Sequence, residues 1–131
     1  MISGSGALVL VADDTPDVRD LYSFSLNHTG FRTVTAASGE EAIVQAVNLR
    51  PDVVVMDLMM PGIGGVEAIR RLKTDDVTKD IPVIAMSADH ADEMRAAIGA
   101  RCDRFMRKPC VPADLIKVIR ELLAPLSSSP S

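Results

Sequence analysis

Aromatic residues are scarce in this sequence. Phenylalanine, tyrosine and tryptophan make up 3% of its 131 residues, and tryptophan is absent. Because 47% of the residues are nevertheless hydrophobic, we expect an aliphatic core in which methionine and alanine fill much of the volume. A chain of this length and composition suits one globular domain with a sizeable core.

Cysteine is also scarce, since Cys102 and Cys110 are the only two. Two cysteines are too few for the disulfide framework that stabilises small secreted domains. No Cys-x-x-Cys pair or Cys/His cluster indicates a zinc site. We therefore expect two reduced thiols in a cytoplasmic protein.

An excess of positive charge is lacking as well. The formal net charge is −4, and charges of both signs are mixed along the chain, so the composition gives no basis for direct nucleic-acid binding. The first apolar stretch, residues 7–12, is followed at once by Asp13. It is too short for a signal peptide or a membrane span.

The most informative segment runs from Pro51 to Gly65, with the sequence PDVVVMDLMMPGIGG. Its apolar run without alternation is typical of a parallel strand that helices cover on both faces. Proline and three glycines then predict a loop. This strand would place Asp57 at its C-terminal end, where open α/β sheets bind their ligands.

The remaining pattern predicts alternating strands and helices. Four more strands are predicted at 7–12, 31–36, 81–86 and 102–107. Thr15-Pro16, the capping box from Ser38 to Glu41, and Pro112 predict helix starts. The fourth helix has the weakest periodicity: Ser87 or Asp89 is its candidate cap, and its predicted inward residues are Met94, Ala97 and Ile98.

Five successive βα units predict a doubly wound α/β fold with a parallel sheet and right-handed crossovers. We expect a flexible tail at residues 1–6, one domain at 7–124, and a disordered tail or linker stub at 125–131.

Charged and polar residues follow four of the predicted strands. Asp13 and Asp14 end the first strand, Asp57 the third, Ser87 the fourth, and Lys108 the fifth. Each alone has an ordinary explanation, as a helix cap, a polar strand exit or a solvated charge. Because the carboxyl ends of parallel strands share one edge of a sheet, their joint placement predicts a common site.

Three carboxylates in one site repel each other unless a cation compensates them. Hard oxygen ligands with open positions favour Mg²⁺ completed by phosphate. An aspartate beside such a site can act as a nucleophile and form an aspartyl phosphate. Lys108 and Ser87 would supply positive charge and a hydrogen bond to the phosphoryl oxygens.

Four segments together resemble the receiver domain of two-component response regulators. They are VADD at 11–14, VVVMDLMMPGIGG at 53–65, VIAMSA at 83–88 and FMRKP at 105–109. Their order and spacing fit that CheY-like family over residues 7–124. The resemblance implies a flavodoxin-like (βα)5 three-layer sandwich with strand order 2-1-3-4-5.

The resemblance also implies residue roles. Asp57 would accept a phosphoryl group from a sensor histidine kinase or a histidine phosphotransfer protein. Asp14 would bind Mg²⁺ directly and Asp13 directly or through water, with Asp57 and the Met59 backbone carbonyl as further ligands. Lys108 would pair with the phosphoryl group, and the Lys108–Pro109 peptide would be cis.

A phosphorylation switch is implied in the same way. The Ser87 hydroxyl would move to the phosphoryl group, and Phe105 would turn inward into the space left behind. The fourth helix, fifth strand and fifth helix would form the output face, which is also a candidate homodimer surface. Arg101 and Cys110 depart from the common family pattern, and Arg101, Arg104 and Arg107 make that face basic.

Two other functions stay open at this point. One is a receiver fold used as a phosphorylation-independent interaction module, although such modules usually lose the acidic pair, the Asp57 position or the Lys108 position. The other is a flavodoxin-like small-molecule binder or a phosphatase. The acidic turn ADDTPD at 12–17 lacks the glycines that cradle phosphate, which argues against the second. A switch of this kind turns over no separate substrate and is not an enzyme in that sense.

Overall fold

The computed structural model describes residues 6–88 and 91–124. Strands and helices alternate along it: β1 (Leu8–Ala12), α1 (Pro16–His28), β2 (Arg32–Ala36), α2 (Gly39–Leu49), β3 (Val53–Asp57), α3 (Gly64–Thr74), β4 (Val83–Ser87), α4 (Ala91–Gly99), β5 (Arg104–Arg107) and α5 (Pro112–Leu123). The strands form one parallel sheet in the order β2-β1-β3-β4-β5. The predicted fold and strand order are confirmed.

The central strand β3 is buried along its whole length. It pairs with β1, Val9 opposite Val53, and with β4, Asp57 opposite Met86. Val53 and Val55 belong to the core cluster beneath α1 and α5, whereas its other apolar residues belong to the cluster beneath α2, α3 and α4. Both faces of β3 are therefore covered, which explains its unbroken apolar run.

Two of the predicted helix starts are observed with altered capping. Ser38 Oγ accepts a hydrogen bond from Glu41 N at 3.1 Å, while Glu41 Oε1 accepts one from Ala37 N at 2.7 Å. The reciprocal bond of the capping box thus reaches one residue earlier than usual. Thr15 occupies the N-cap of α1, but its hydroxyl makes no capping hydrogen bond.

The prediction for α4 was partly wrong. Ala97 is buried, but Met94 is 42% and Ile98 60% exposed. The helix packs through small residues, so its larger apolar side chains are left at the surface. Ser87 is the last residue of β4 and not a helix cap, and Asp89 lies outside the described residues.

Differences at other element ends are small. β5 begins at Arg104, two residues later than predicted, and the side chain of the preceding Asp103 accepts hydrogen bonds from Lys73 Nζ and Val83 N. Gly6, assigned to the flexible tail, donates to Gly30 O at 3.2 Å and accepts from Arg32 Nε at 2.7 Å. The predicted tails at 1–5 and 125–131 lie outside the described residues. No helix in the described part of the chain is long and apolar enough to cross a membrane.

Candidate functional site

Three carboxylates and one ammonium group meet at the C-terminal edge of the sheet. Asp13 and Asp14 follow β1, Asp57 ends β3, and Lys108 follows β5. One carboxylate oxygen from each aspartate lies within 4.8 Å of the others. Lys108 Nζ lies 2.8 Å from Asp13 Oδ2 and 3.3 Å from Asp57 Oδ2. The structure therefore brings together four of the predicted site residues.

The aspartates differ in burial and in their partners. Asp13 and Asp57 are only 3% and 4% exposed, whereas Asp14 is exposed. Asp13 Oδ1 accepts a hydrogen bond from Thr15 N at 2.9 Å, and its own backbone N–H donates to Ala36 O at 3.0 Å. The carboxylate of Asp13 is thus held on both oxygens, by a backbone amide and by Lys108.

The pKa of Asp57 is governed first by burial and then by its neighbours. Burial raises its pKa above the ordinary value, and the negative charge of Asp13 raises it further, although the Met59 N–H and Lys108 oppose the rise. Burial pulls the pKa of Lys108 down, but the hydrogen bond to Asp13 and the charge of Asp57 outweigh burial and raise it. One ammonium group does not compensate three carboxylates, so the site suits an additional cation.

The loop after β3 holds Asp57 through its backbone. Asp57 Oδ1 accepts a hydrogen bond from Met59 N at 3.1 Å. A Cβ atom on Gly65 would lie 2.3 Å from the Asp57 carbonyl oxygen and 2.6 Å from Leu58 Cα. Only glycine permits α3 to begin this close to the end of β3. The role of the Met59 carbonyl as a metal ligand stays a prediction.

Ser87 lies on β4, the neighbour of β3, and Phe105 lies on β5, the next strand of the sheet. Ser87 is fully buried at the end of β4, and its carbonyl accepts a hydrogen bond from Lys108 N at 2.9 Å. Phe105 is half-buried, pairs with Ala85 in the ladder, and packs against the core beneath α2, α3 and α4. The Lys108–Pro109 peptide bond is cis, as the resemblance implies. The backbone thus connects the predicted switch residues directly to the Lys108 segment.

Sequence reasoning missed two residues of α1 that contact the edge of the site. Arg19 Nη1 donates to the Asp13 carbonyl at 2.8 Å, and Tyr22 Oη donates to the Cys110 carbonyl at 2.7 Å. Their spacing of three residues places them on one flank of the helix, which was the available signal. A cavity of about 310 Å³ opens beside Tyr22, and its other lining residues are Val18, Leu21, Ala88, Lys108, Pro109 and Cys110.

Residues 9–120 match the family model described as the response regulator receiver domain. The chain belongs to this family. It is 37% identical over 116 residues to the transcriptional regulatory protein PrrA of Mycobacterium tuberculosis, covering 88% of this chain and 49% of PrrA. The chain spans about half the length of the curated relatives it matches.

Solved structures show the same architecture. The chemotaxis response regulator CheY4 of Vibrio cholerae superposes with a TM-score of 0.83 at 28% identity, covering 89% of this chain and 98% of CheY4. The receiver domain of sensor histidine kinase PA1611 from Pseudomonas aeruginosa has a TM-score of 0.84 at 24% identity, covering 89% of this chain and 97% of that one. That structure is described with a magnesium ion coordinated in its active site cleft.

Membership confirms the resemblance seen in the sequence. Receiver domains are signalling switches of two-component systems, they bind Mg²⁺ in an acidic site, and they interact with histidine kinases. The cluster of Asp13, Asp14 and Asp57 is the acidic pocket of this chain.

Proposed function

We propose that this chain is a phosphorylation-controlled switch in which Asp57 accepts a phosphoryl group from the phosphohistidine of a sensor kinase or phosphotransfer protein. The observation that carries the proposal is the placement of Asp57, buried at the end of the central strand with Lys108 3.3 Å away. In the transfer, an Asp57 oxygen forms a bond to phosphorus as the phosphorus–nitrogen bond to the donor breaks. We further propose residues 7–124 as the bounds of the domain.

The surroundings of Asp57 supply what such a transfer needs. Phosphoryl transfer depends on positioning and on positive charge near the equatorial oxygens. The Met59 N–H fixes one oxygen of Asp57, so the carboxylate has a defined orientation before the donor arrives. The Lys108 ammonium, which contacts the other oxygen, would offset the negative charge brought by the phosphoryl group.

The donor set fits Mg²⁺. Carboxylate and carbonyl oxygens are the ligands this ion prefers, and the unbalanced charge of the three aspartates calls for a cation. Asp13, Asp14, Asp57 and the Met59 carbonyl would hold it, and when bound it would neutralise charge on the phosphoryl oxygens. The magnesium described in the similarly folded PA1611 receiver domain is consistent with this assignment.

The response to phosphorylation would pass through Ser87 and Phe105. A phosphoryl group adds strong acceptor oxygens; the Ser87 hydroxyl would move to them, and Phe105 would then turn inward. The output face would be α4, β5 and α5, where exposed Met94 and Ile98 lie on α4. The same face is the candidate homodimer surface. Ser87→Ala and Phe105→Ala should each uncouple phosphorylation from changes in amide exchange on α4 and β5.

The proposed switch function also implies how the protein acts, where it acts and on what partner. The chain would catalyse only its own phosphorylation and dephosphorylation, without turning over a separate substrate. It would act in the cytoplasm on a protein partner, with no direct contact of this domain to nucleic acid.

Intact mass after incubation with acetyl phosphate and Mg²⁺ tests the proposal. We expect one added phosphoryl group on the wild type and none on Asp57→Asn or in EDTA. Asp76→Asn, which changes an exposed aspartate outside the site, is the matched control and should be phosphorylated normally. Mg²⁺ binding without an adduct would favour the phosphorylation-independent interaction module, and absence of both would contradict the assembled acidic site.

A further inference from the structure

Two side chains of α1 reach across to backbone carbonyls of the charged site. Arg19 Nη1 donates to the carbonyl of Asp13, and Tyr22 Oη donates to the carbonyl of Cys110, 88 residues away in sequence. Asp13 carries one of the charges of the site, and Cys110 is two residues after Lys108, which carries another. One helix flank therefore touches both segments whose side chains meet as the 2.8 Å pair of Lys108 and Asp13.

Neither contact has the character of an incidental surface bond. Tyr22 is only 4% exposed and Arg19 is half-buried, so both side chains have restricted freedom. The start of α1 also lacks a hydroxyl cap. Together with the Thr15 N–H on the Asp13 carboxylate, the Arg19 contact fixes the acidic turn to the body of α1.

We propose that Arg19 and Tyr22 are positioning residues that together set the separation between Asp13 and Lys108. The inference rests on the proposed function of the site. Arg19 holds the backbone of the acidic turn, and Tyr22 holds the segment after Lys108, so α1 acts as a rigid spacer between them. Groups that orient metal ligands and catalytic side chains in this way govern affinity although they touch neither ion nor substrate.

The charge of Arg19 makes the proposal sharply testable. If Arg19 acted only through its charge, its removal beside three carboxylates would strengthen Mg²⁺ binding. Positioning predicts the opposite sign, because the ligands of a loosened turn must be ordered again when the ion binds. Tyr22→Phe removes a hydroxyl without changing charge, and its effect should fall on phosphoryl transfer through the Lys108 segment.

The experiment measures Mg²⁺ affinity by titration calorimetry and the rate of phosphorylation by acetyl phosphate. We expect Arg19→Ala to weaken Mg²⁺ binding about tenfold, with substantial recovery in Arg19→Lys, which keeps a donor and the charge. Tyr22→Phe should slow phosphorylation about threefold to tenfold while leaving Mg²⁺ affinity nearly unchanged. Leu26→Val, a buried change on the same helix, is the control for lost stability and should alter neither quantity.

Several outcomes would overturn the proposal. One is that Arg19→Ala binds Mg²⁺ as tightly as the wild type or more tightly. Another is that Leu26→Val weakens Mg²⁺ binding as much as Arg19→Ala does. A third is that Tyr22→Phe is phosphorylated at the wild-type rate. If Arg19→Ala does not fold, the proposal is tested by the phosphorylation rate of Tyr22→Phe and the Mg²⁺ affinity of Arg19→Gln. A wild-type protein that takes up no phosphoryl group would instead contradict the proposed function itself, so the two failures are distinguishable.

Discussion

Two lysine–carboxylate clusters lie at opposite edges of the same sheet. At the N-terminal edge of β4 and β5, Lys73 Nζ donates to Asp103 Oδ2 at 2.7 Å, to Ile81 O at 2.9 Å and to Lys79 O at 3.4 Å. Asp103 Oδ2 also accepts from Val83 N at 2.7 Å. One ammonium group meets one carboxylate, and backbone carbonyls occupy its other donors.

The cluster at the C-terminal edge has the opposite balance. Lys108 faces Asp13 and Asp57, and exposed Asp14 lies within reach of both. Negative charge is in surplus there, and the pKa of buried Asp57 is raised. The comparison teaches that a lysine–aspartate pair does not by itself mark a functional site. The matched cluster, Lys73 with Asp103, has equal charges and stabilises the fold. The unmatched cluster, Lys108 with Asp13, Asp14 and Asp57, has excess negative charge, and its electrostatic repulsion can be reduced by a bound cation or by phosphoryl chemistry.

The largest effect on stability should come from breaking the matched cluster. Lys73→Met removes the ammonium, so the Asp103 carboxylate loses its counter-charge and keeps the Val83 N–H, while the carbonyls of Lys79 and Ile81 lose this donor. We expect the free energy of unfolding to fall by about 2 kcal/mol, since Asp103 is partly exposed and solvent recovers some of the loss. Urea denaturation measures the change, and phosphorylation of the folded protein should be unaffected.

Lys79→Met is the matched control for that variant. Lys79 pairs with Asp76 at 3.4 Å, with both side chains largely exposed, and such pairs contribute little. If Lys73→Met destabilises the protein no more than Lys79→Met does, the Lys73–Asp103 cluster does not stabilise the fold.

Removing a carboxylate from the unmatched cluster should raise the free energy of unfolding instead of lowering it. Asp57→Asn relieves the burial of a charge and its repulsion from Asp13, so in EDTA we expect stabilisation by about 1 kcal/mol. Asp103→Asn at the other edge should destabilise the protein. Loss of stability in Asp57→Asn would show that Lys108 already compensates the site.

The pH dependence of that gain follows from the raised pKa of Asp57. A carboxyl group with a raised folded-state pKa contributes most to stability when protonated, below its ordinary value of 3.8. The contribution is lost as the pH rises through the raised value. The advantage of Asp57→Asn over the wild type should therefore be small near pH 4 and widen above it. A constant difference across the series would contradict the raised pKa.

The residues at the C-terminal edge of the sheet could be predicted from the sequence, because the end of each strand is marked by a local sequence pattern. The apolar run of β3 ending in Asp57 and the acidic pair after β1 are both readable without tertiary information. Parallel topology then brings the strand ends together. The same reasoning was wrong for Met94 and Ile98, because the short and weakly periodic α4 buries small residues instead of large ones.

The contacts of α1 with the site were beyond sequence reasoning for a different reason. The bond between Tyr22 and the Cys110 carbonyl depends on how far one side chain reaches once helix and loop are packed. No local pattern encodes that distance. Lys73 was missed similarly, since its partners come from three separate segments around β4 and β5.

The smallest expected effect belongs to the hydroxyl of Tyr22. Burial raises the pKa of Tyr22 from 10.0 to about 12, helped by the neighbouring Cys110 and Asp13. The stability that the protonated hydroxyl contributes, about 0.5 kcal/mol, should be complete below pH 10 and lost as the pH rises through 12.

Tyr22→Phe should therefore be slightly less stable than the wild type at neutral pH, and the order should reverse in strong alkali, because ionising the buried hydroxyl costs the wild type more than its hydrogen bond contributes. Since Tyr22 is the only tyrosine, the ultraviolet absorbance of tyrosinate reports its titration directly. A midpoint near the ordinary value would mean that the Tyr22 side chain is not buried against the Cys110 segment in solution. The Lys108 segment would then lack its contact with α1, and α1 would tether only the acidic turn through Arg19.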